Sequence, residues 1–492
     1  MKTKRRIGMF VGCVLATQIL TATCTINPLD YTGRVVSGAF GNDFGDNNSR
    51  NSLAMIRGYI GINGEDRGAL TVYKHGGSLW LAWDAPYDVT NITDRVVSGD
   101  FDNDGSVDDV AAIYDNGSSS TSIHVWSVFN TVVGNSVTYT NNLWTSSTYD
   151  ATKVTGRVVS GDFDSDGYYD DIAAFYDYGS GVVKLHAWLR NNSGGFTYVW
   201  WWEASGYYCS MFTGRVVSGD FDRDGNCDDI ANLYDYGGGE MRIHVFTGNG
   251  GSAFNYSGAN GWWSVPSGYT PSNITFRVAT GNFDHSGVIS NHRSDDIVAI
   301  YDYGSGAAKA HVWTSNGNSF SYAWKWEVTG FTATNITDRF VSFDTNPNED
   351  DTRTYGMAAL YNYGTSSTVA YHWQASTGGS WNFGSSIGYF CPPRLSPDAV
   401  SPDETEMTPA LSVDAFPNPN DGHVTVEIAP TAEGMTSLTI VDITGREVFS
   451  SAINAAAGYR QEIDLTSFGK GVYILRIVGP NGTAETKRLI VE

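Results

Sequence analysis

Residues 157–167 read Arg-Val-Val-Ser-Gly-Asp-Phe-Asp-Ser-Asp-Gly, and this phrase organises the rest of the chain. It, or a close relative, begins at Arg34, Arg95, Arg157, Arg215, Arg277 and Arg339, with spacings of 61, 62, 58, 62 and 62 residues. Self-similarity at a fixed period means one structural unit used repeatedly. After the phrase comes an Asp/Gly-rich loop and then a strand-like run such as Asp171-Ile-Ala-Ala-Phe-Tyr-Asp-Tyr-Gly179. A third run such as Leu185-His-Ala-Trp188 and an aromatic fourth complete each unit.

Four short strands per unit is the sequence form of a propeller blade. One twisted sheet cannot bury both faces alone, whereas neighbours set around an axis cover each other. The run Trp200-Trp201-Trp202 fits, because successive strand residues point to opposite faces and both faces then carry Trp. The counts of 56 Gly, 28 Tyr, 15 Trp and 23 Phe also suit many short strands and tight turns. The expected fold is all-β: a six-bladed β-propeller over residues 30–390, four strands per blade, followed by a small Ig-like β-sandwich.

The loops Asp100-Phe-Asp-Asn-Asp-Gly105, Asp162-Phe-Asp-Ser-Asp-Gly167 and Asp220-Phe-Asp-Arg-Asp-Gly225 resemble FG-GAP or VCBS repeats. The resemblance runs from near Tyr31 to near Phe390 and implies a propeller with calcium in its loops. The chemistry agrees. Calcium takes six to eight oxygen ligands in a flexible cage, and alternate aspartates in a tight loop converge on one point. Several carboxylates that close oppose one another's ionisation unless a cation sits among them. Candidate ligands are Asp100, Asp102, Asp104 and Asp108 in blade two, and Asp162, Asp164, Asp166 and Asp170 in blade three. Blade four offers Asp220, Asp222, Asp224 and Asp228. Three Ca²⁺ sites are therefore expected, in blades two to four, with a structural role. One departure matters: the repeat family places an aliphatic residue directly after the final Asp. Here the pairs Asp108-Asp109, Asp170-Asp171 and Asp228-Asp229 leave open which member touches the metal. Repeats one, five and six break the pattern, at Ala39, at an insertion before Asp295-Asp296, and after Asp344.

Other repeated residues invite a ligand. The arginines, among them Arg95, Arg157 and Arg215, begin the innermost strands, opposite the acidic loops. A positive ring could hold an anion; the simpler account pairs each guanidinium with a carboxylate or carbonyl between blades. Trp144, Trp202 and Trp263 recur in fourth strands, where aromatic faces either stack on sugars or pack between blades. His124, His186, His244 and His311 share one position but sit on different blades, which favours structural hydrogen bonding over a metal site. Loop tyrosines such as Tyr178 and Tyr236 are candidates for an exposed binding surface.

Lys2, Lys4, Arg5 and Arg6 precede the apolar run Ile7 to Leu20, so residues 1–23 read as a signal peptide, too short for an ordinary membrane span. Cys24 invites a lipoprotein reading, against which Thr23 is a poor preceding residue. The formal net charge of −23 repels nucleic acid and anionic membranes. Cys209, Cys227 and Cys391 imply no disulfide framework; the strand between the first two is expected to hold them apart.

Residues 391–413 are rich in Pro, Ser, Asp and Glu and read as a linker. Beyond them, short alternating runs such as Val424-Thr-Val-Glu-Ile428 and Val472-Tyr-Ile-Leu-Arg-Ile477 indicate a small β-sandwich over 414–492. Phe416-Pro-Asn-Pro-Asn420, Asp442-Ile-Thr-Gly-Arg446, Gly471-Val-Tyr473 and Lys487-Arg-Leu-Ile490 resemble the type A sorting domain of type IX secretion. That resemblance implies a Bacteroidetes-like source, passage across the outer membrane through the secretion machinery, and removal of the domain.

Gly384-Ser-Ser-Ile-Gly388 fits a nucleophile-elbow pattern in letters only, since no helix follows. No His-Glu-x-x-His arrangement occurs, and the obvious acids are better used as metal ligands. The expectation is a non-enzymatic, secreted or cell-surface calcium-binding propeller for adhesion or recognition of extracellular protein or glycan. A carbohydrate-specific lectin is the sharper alternative; a glycan-active enzyme and a structural surface-layer protein are the others.

Overall fold

The computed structural model describes residues 28–40, 52–61, 64–74, 79–131, 134–191, 193–284, 296–343, 356–363, 368–375, 381–384, 413–416, 420–428, 435–442, 446–454, 459–478 and 484–491. The signal peptide, the linker 391–412, Gly384-to-Gly388 beyond its first residue, and the irregular acidic stretches 41–51, 285–295 and 344–355 lie outside them. Among the described residues no helix is long and apolar enough to cross a membrane.

Six antiparallel sheets carry the six repeats, each with its strands in chain order. Blade three is typical: Val158–Gly161, Asp171–Gly179, Val182–Arg190 and Phe196–Ser205. In blade four the fourth strand is split into Phe254–Tyr256 and Trp263–Val265, both paired with Glu240–Gly248. The second strand reads as a continuous apolar run because both its faces are covered; Ile172, Ala173, Ala174 and Phe175 are all fully buried.

The ring closes by backbone hydrogen bonds at the axis. The residue before each repeated arginine donates its N–H to the equivalent carbonyl of the preceding blade: Asp94 to Gly33, Gly156 to Asp94, Gly214 to Gly156, Phe276 to Gly214 and Asp338 to Phe276. Gly33 donates to Asp338 at 2.9 Å, joining blade one to blade six. All six residues need a left-handed backbone, with φ between 57° and 73°. Glycine supplies this freely at three of them, and Phe276 adopts it at a steric cost. The Phe276 ring lies over Gly214, where an added Cβ would come within 2.8 Å of it. Gly214→Ala is therefore expected to destabilise the propeller by about 1–2 kcal/mol, read as a lower urea midpoint at unchanged slope.

Each arginine is a staple between blades. Arg157 donates Nε–H to Phe175 O at 3.1 Å, Nη1–H to Thr213 Oγ1 of the next blade at 2.5 Å, and Nη2–H to Lys153 O at 2.5 Å. Arg34, Arg95, Arg215, Arg277 and Arg339 repeat the pattern, and Arg339 reaches Thr32 of blade one at 2.8 Å. Across the interface each guanidinium meets a threonine hydroxyl rather than the expected carboxylate or carbonyl, and its carbonyl partners lie on its own side.

Aromatic pairs fill the space between blades farther out. Trp144 meets Trp188 edge-to-face at 5.5 Å, Trp202 meets Phe246 at 4.8 Å, and Trp263 meets Trp313 at 5.6 Å. These three tryptophans are thus spent on packing, each contact adding about 0.5–1.5 kcal/mol beyond its buried area. The histidines are bridges as well. Nδ1 of His124, His186, His244 and His311 is 2.7–3.0 Å from the hydroxyl of Tyr87, Tyr149, Tyr207 and Tyr269 respectively. Burial pulls their pKa values down to about 4, 3, 4 and 4, so the imidazoles are neutral.

The run Trp200-Trp201-Trp202 departs from simple alternation. The ladder shifts between Leu185 and His186, so Leu185 faces Trp202 while His186 faces Trp200. One extra residue opposite that step sends Trp200 and Trp202 to opposite faces. Trp202 packs against blade four, and Trp200 is left 51% exposed.

The C-terminal unit is separate. A sheet of Val413–Phe416, His423–Ile428 and Tyr459–Asp464 accompanies a sheet of Met435–Asp442, Glu447–Asn454, Gly471–Val478 and Ala484–Val491. Val424, Val426, Leu438, Ile440, Leu475 and Ile477 form a shared buried core, as a small sandwich requires.

Candidate metal loops and outer rim

In blades two to four the first strand ends in Gly99, Gly161 and Gly219, and the acidic loop starts at the next residue. Asp100 turns its loop back on itself, accepting N–H bonds from Asp104 at Oδ1 and Gly105 at Oδ2, both at 3.0 Å. Asp162 does the same for Asp166 and Gly167 at 2.9 and 3.0 Å. Gly105, Gly167 and Gly225 take φ of 92°, 98° and 111°, which the sharp turn demands.

Three carboxylate groupings result: Asp100, Asp102 and Asp104; Asp162, Asp164 and Asp171; Asp220, Asp222 and Asp229. Within each, one oxygen per residue lies within 4.8 Å of the others. Asp108, Asp170 and Asp228 are the candidates named from the paired acids, with the choice within each pair open; these groupings take in Asp171 and Asp229. The pairs divide two tasks. Asp171 accepts Arg190 N–H at 2.7 Å and Asp164 N–H at 3.0 Å, tying the loop to the third strand. Asp229 does so with Gly248 and Asp222, at 2.9 and 2.8 Å. Asp170 and Asp228, 1% and 2% exposed, lie against the preceding blade's loop, where Ser165 Oγ–H donates to Asp228 at 3.3 Å. Asp166 and Asp224 stand at the exposed lip.

The electrostatics call for a cation. Burial, with the charges of Asp104 and Asp102 adding to it, pushes Asp100 up to about 6. Burial likewise raises Asp162 to about 6, Asp170 and Asp228 to about 7, and Asp171 to about 9. Oδ2 of Asp102, Oδ2 of Asp170 and Oδ1 of Asp228 are buried with no hydrogen-bond partner among the described residues. An all-oxygen set of this kind suits a hard divalent ion.

Around the outer rim, Tyr178, Tyr236, Tyr303 and Tyr363 occupy one position on four consecutive blades and are 41–51% exposed. Three are fixed from behind: the hydroxyls of Tyr178, Tyr236 and Tyr303 lie 3.4, 3.1 and 3.1 Å from Nε2 of His186, His244 and His311. Trp200 and Trp324 stand beside Tyr178 and Tyr303, 51% and 53% exposed. Sequence reading had Tyr178 and Tyr236 as candidates but missed both tryptophans, because strict alternation hides them. Cys209 and Cys227 are both buried and are not joined to each other.

Residues 414–492 match the family model "Secretion system C-terminal sorting domain". No curated relative matches the chain. Among solved structures, AofleA from Arthrobotrys oligospora is similar at 10% identity and a TM-score of 0.40, over 76% of this chain and 92% of that one. A Lactobacillus plantarum protein is similar at 9% identity and a TM-score of 0.35, over 81% and 95%. The WD40 domain of SCAP from fission yeast follows at 11% identity and a TM-score of 0.31, over 90% and 82%. The C-terminal unit is a type IX secretion sorting domain, and it marks the chain for secretion or outer-surface attachment in a Gram-negative bacterium.

Proposed function

We propose that the propeller is a non-enzymatic recognition module of the FG-GAP/VCBS kind that binds extracellular glycans through its outer rim. Calcium in the loops of blades two to four stiffens it, and the C-terminal domain engages the secretion machinery. The observation that carries this reading is the row of exposed, histidine-braced tyrosines repeated from blade to blade. Exposed aromatic faces beside polar groups are what a sugar ring stacks on, and repetition multiplies weak single contacts. The arginines and Trp144, Trp202 and Trp263, which competed for this role, have their donors and faces engaged between blades. In the proposed holo form Asp100, Asp102 and Asp104 would hold Ca²⁺ in blade two, Asp162, Asp164 and Asp171 in blade three, and Asp220, Asp222 and Asp229 in blade four. The ion supplies charge neutralisation and a fixed loop, remote from the rim.

A glycan array probed with the full chain tests the reading. Discrete glycan signals are expected, weakened by chelator to the extent that the fold loosens. An array without signal, together with retained binding to extracellular matrix proteins, would transfer the function to protein adhesion.

A further inference from the structure

Resting on that glycan reading, we propose that blades three and five each carry a site for an uncharged pyranose, with Trp200 and Trp324 as its floor. The ladder sets Lys184 directly opposite Glu203, and Lys309 directly opposite Glu327. Lys184 Nζ lies 4.0 Å from the centroid of Trp200, 5.6 Å from that of Tyr178 and 3.0 Å from Glu203 Oε2. Lys309 repeats this, 4.5 Å from Trp324, 5.4 Å from Tyr303 and 3.1 Å from Glu327. The same ladder shift that frees Trp200 occurs in blade five between Ala310 and His311, and frees Trp324. A bulge that re-aims one side chain identically in two blades builds the same surface twice.

The chemistry of the surface defines its ligand. Lys184 and Lys309 lie over one face of these indoles, and the half of each ring left exposed offers an apolar surface to the C–H side of a sugar ring. An ammonium has three N–H donors, and the glutamate takes one, which leaves two for hydroxyl oxygens. The carboxylate accepts from a neighbouring hydroxyl, so a donor and an acceptor side by side match the two hydroxyls of a vicinal diol. Lysine and glutamate cancel in charge, and the chain as a whole carries −23, so an anionic sugar finds no net attraction. Among the described residues, blades two and four lack this equipment. In blade four Arg242 lies over Tyr236 at 4.5 Å but donates to Glu240 at 2.5 Å and to Ala259 O at 2.6 Å. In blade two the lysine position is Ser122, whose hydroxyl lies 2.9 Å from His124 Nε2. Two such sites follow among the described residues.

The test is calorimetric titration of the full calcium-loaded chain with a panel of neutral methyl pyranosides and with methyl glucuronides. A stoichiometry of two is expected, falling to one in Trp200→Ala or Trp324→Ala and to none in the double variant. Glucuronides are expected to bind about tenfold more weakly. Because both indoles are half exposed, the thermal midpoint is expected to stay unchanged, which separates lost binding from lost fold. Undiminished binding in the double variant, or equal affinity for the glucuronides, would overturn these sites while leaving glycan recognition standing. Wild-type chain that binds none of the panel and is silent on the array would overturn both.

Discussion

Arg157→Leu is expected to destabilise the propeller by about 3–5 kcal/mol, among the largest losses any one surface-to-axis contact in the ring should give. The guanidinium is 7% exposed and serves three acceptors in two blades. Leucine fills part of the volume but leaves the carbonyls of Phe175 and Lys153 without that donor, in a place water reaches poorly. For a domain of this size the loss corresponds to roughly a 5 °C drop in thermal midpoint. Arg157→Lys restores charge but not the three-way fork, so it is expected to recover less than half. Calorimetric unfolding of both variants checks this; a change below about 0.5 kcal/mol would mean the staple adds nothing.

Loading the acidic loops with calcium is expected to raise the thermal midpoint by roughly 10 °C. Each site at a free ion concentration a hundred times its dissociation constant adds about 2.7 kcal/mol, and three consecutive blades take part. The pH dependence should differ between the two forms. Without metal, Asp170, Asp228 and Asp171 have folded pKa values of about 7, 7 and 9, above their unfolded value. The stability they contribute is complete below the unfolded carboxylate range and is lost as pH rises through 7 to 9. Metal-free protein is therefore expected to gain stability when pH is lowered from 9 to 6.5. Calcium-loaded protein should be flat over that window, because the ion already offsets the carboxylate charges. Below pH 6.5 the buried histidines act in the opposite sense. Their folded values near 3 to 4 mean that their contribution is complete above pH 6.5 and lost as pH falls toward 4. Differential scanning calorimetry at pH 9, 7.5, 6.5 and 5, with calcium and with chelator, measures both trends.

The fold was legible because its determinants are local and repeated. A period near sixty residues, four strand-like runs per period and the recurring Arg-Val-Val-Ser-Gly phrase or its relatives define blades without tertiary information. The acidic loops were legible for the same reason, since ligand spacing is a property of the loop itself. Three features were not. The division of labour between Asp170 and Asp171 depends on Arg190 and on the neighbouring blade, both distant in sequence. The exposure of Trp200 depends on an irregularity that the alternation rule does not contain. The threonine partner of each arginine lies near the start of the following repeat, about one blade away, and its role appears only when the ring is closed. A signal for the rim sites did exist: Lys184 with Glu203 and Lys309 with Glu327 hold equivalent positions beside a Trp in two repeats. Only the fold shows that they meet.

The most direct test of a ring braced by ions in three adjacent blades is to count them. Exhaustively dialysed protein, re-equilibrated with calcium and analysed by native mass spectrometry alongside elemental analysis, should retain about three Ca²⁺ per chain. Asp162→Asn combined with Asp164→Asn should lower the count by one. Retention of no ion, or a count unchanged by that pair of substitutions, would contradict the account.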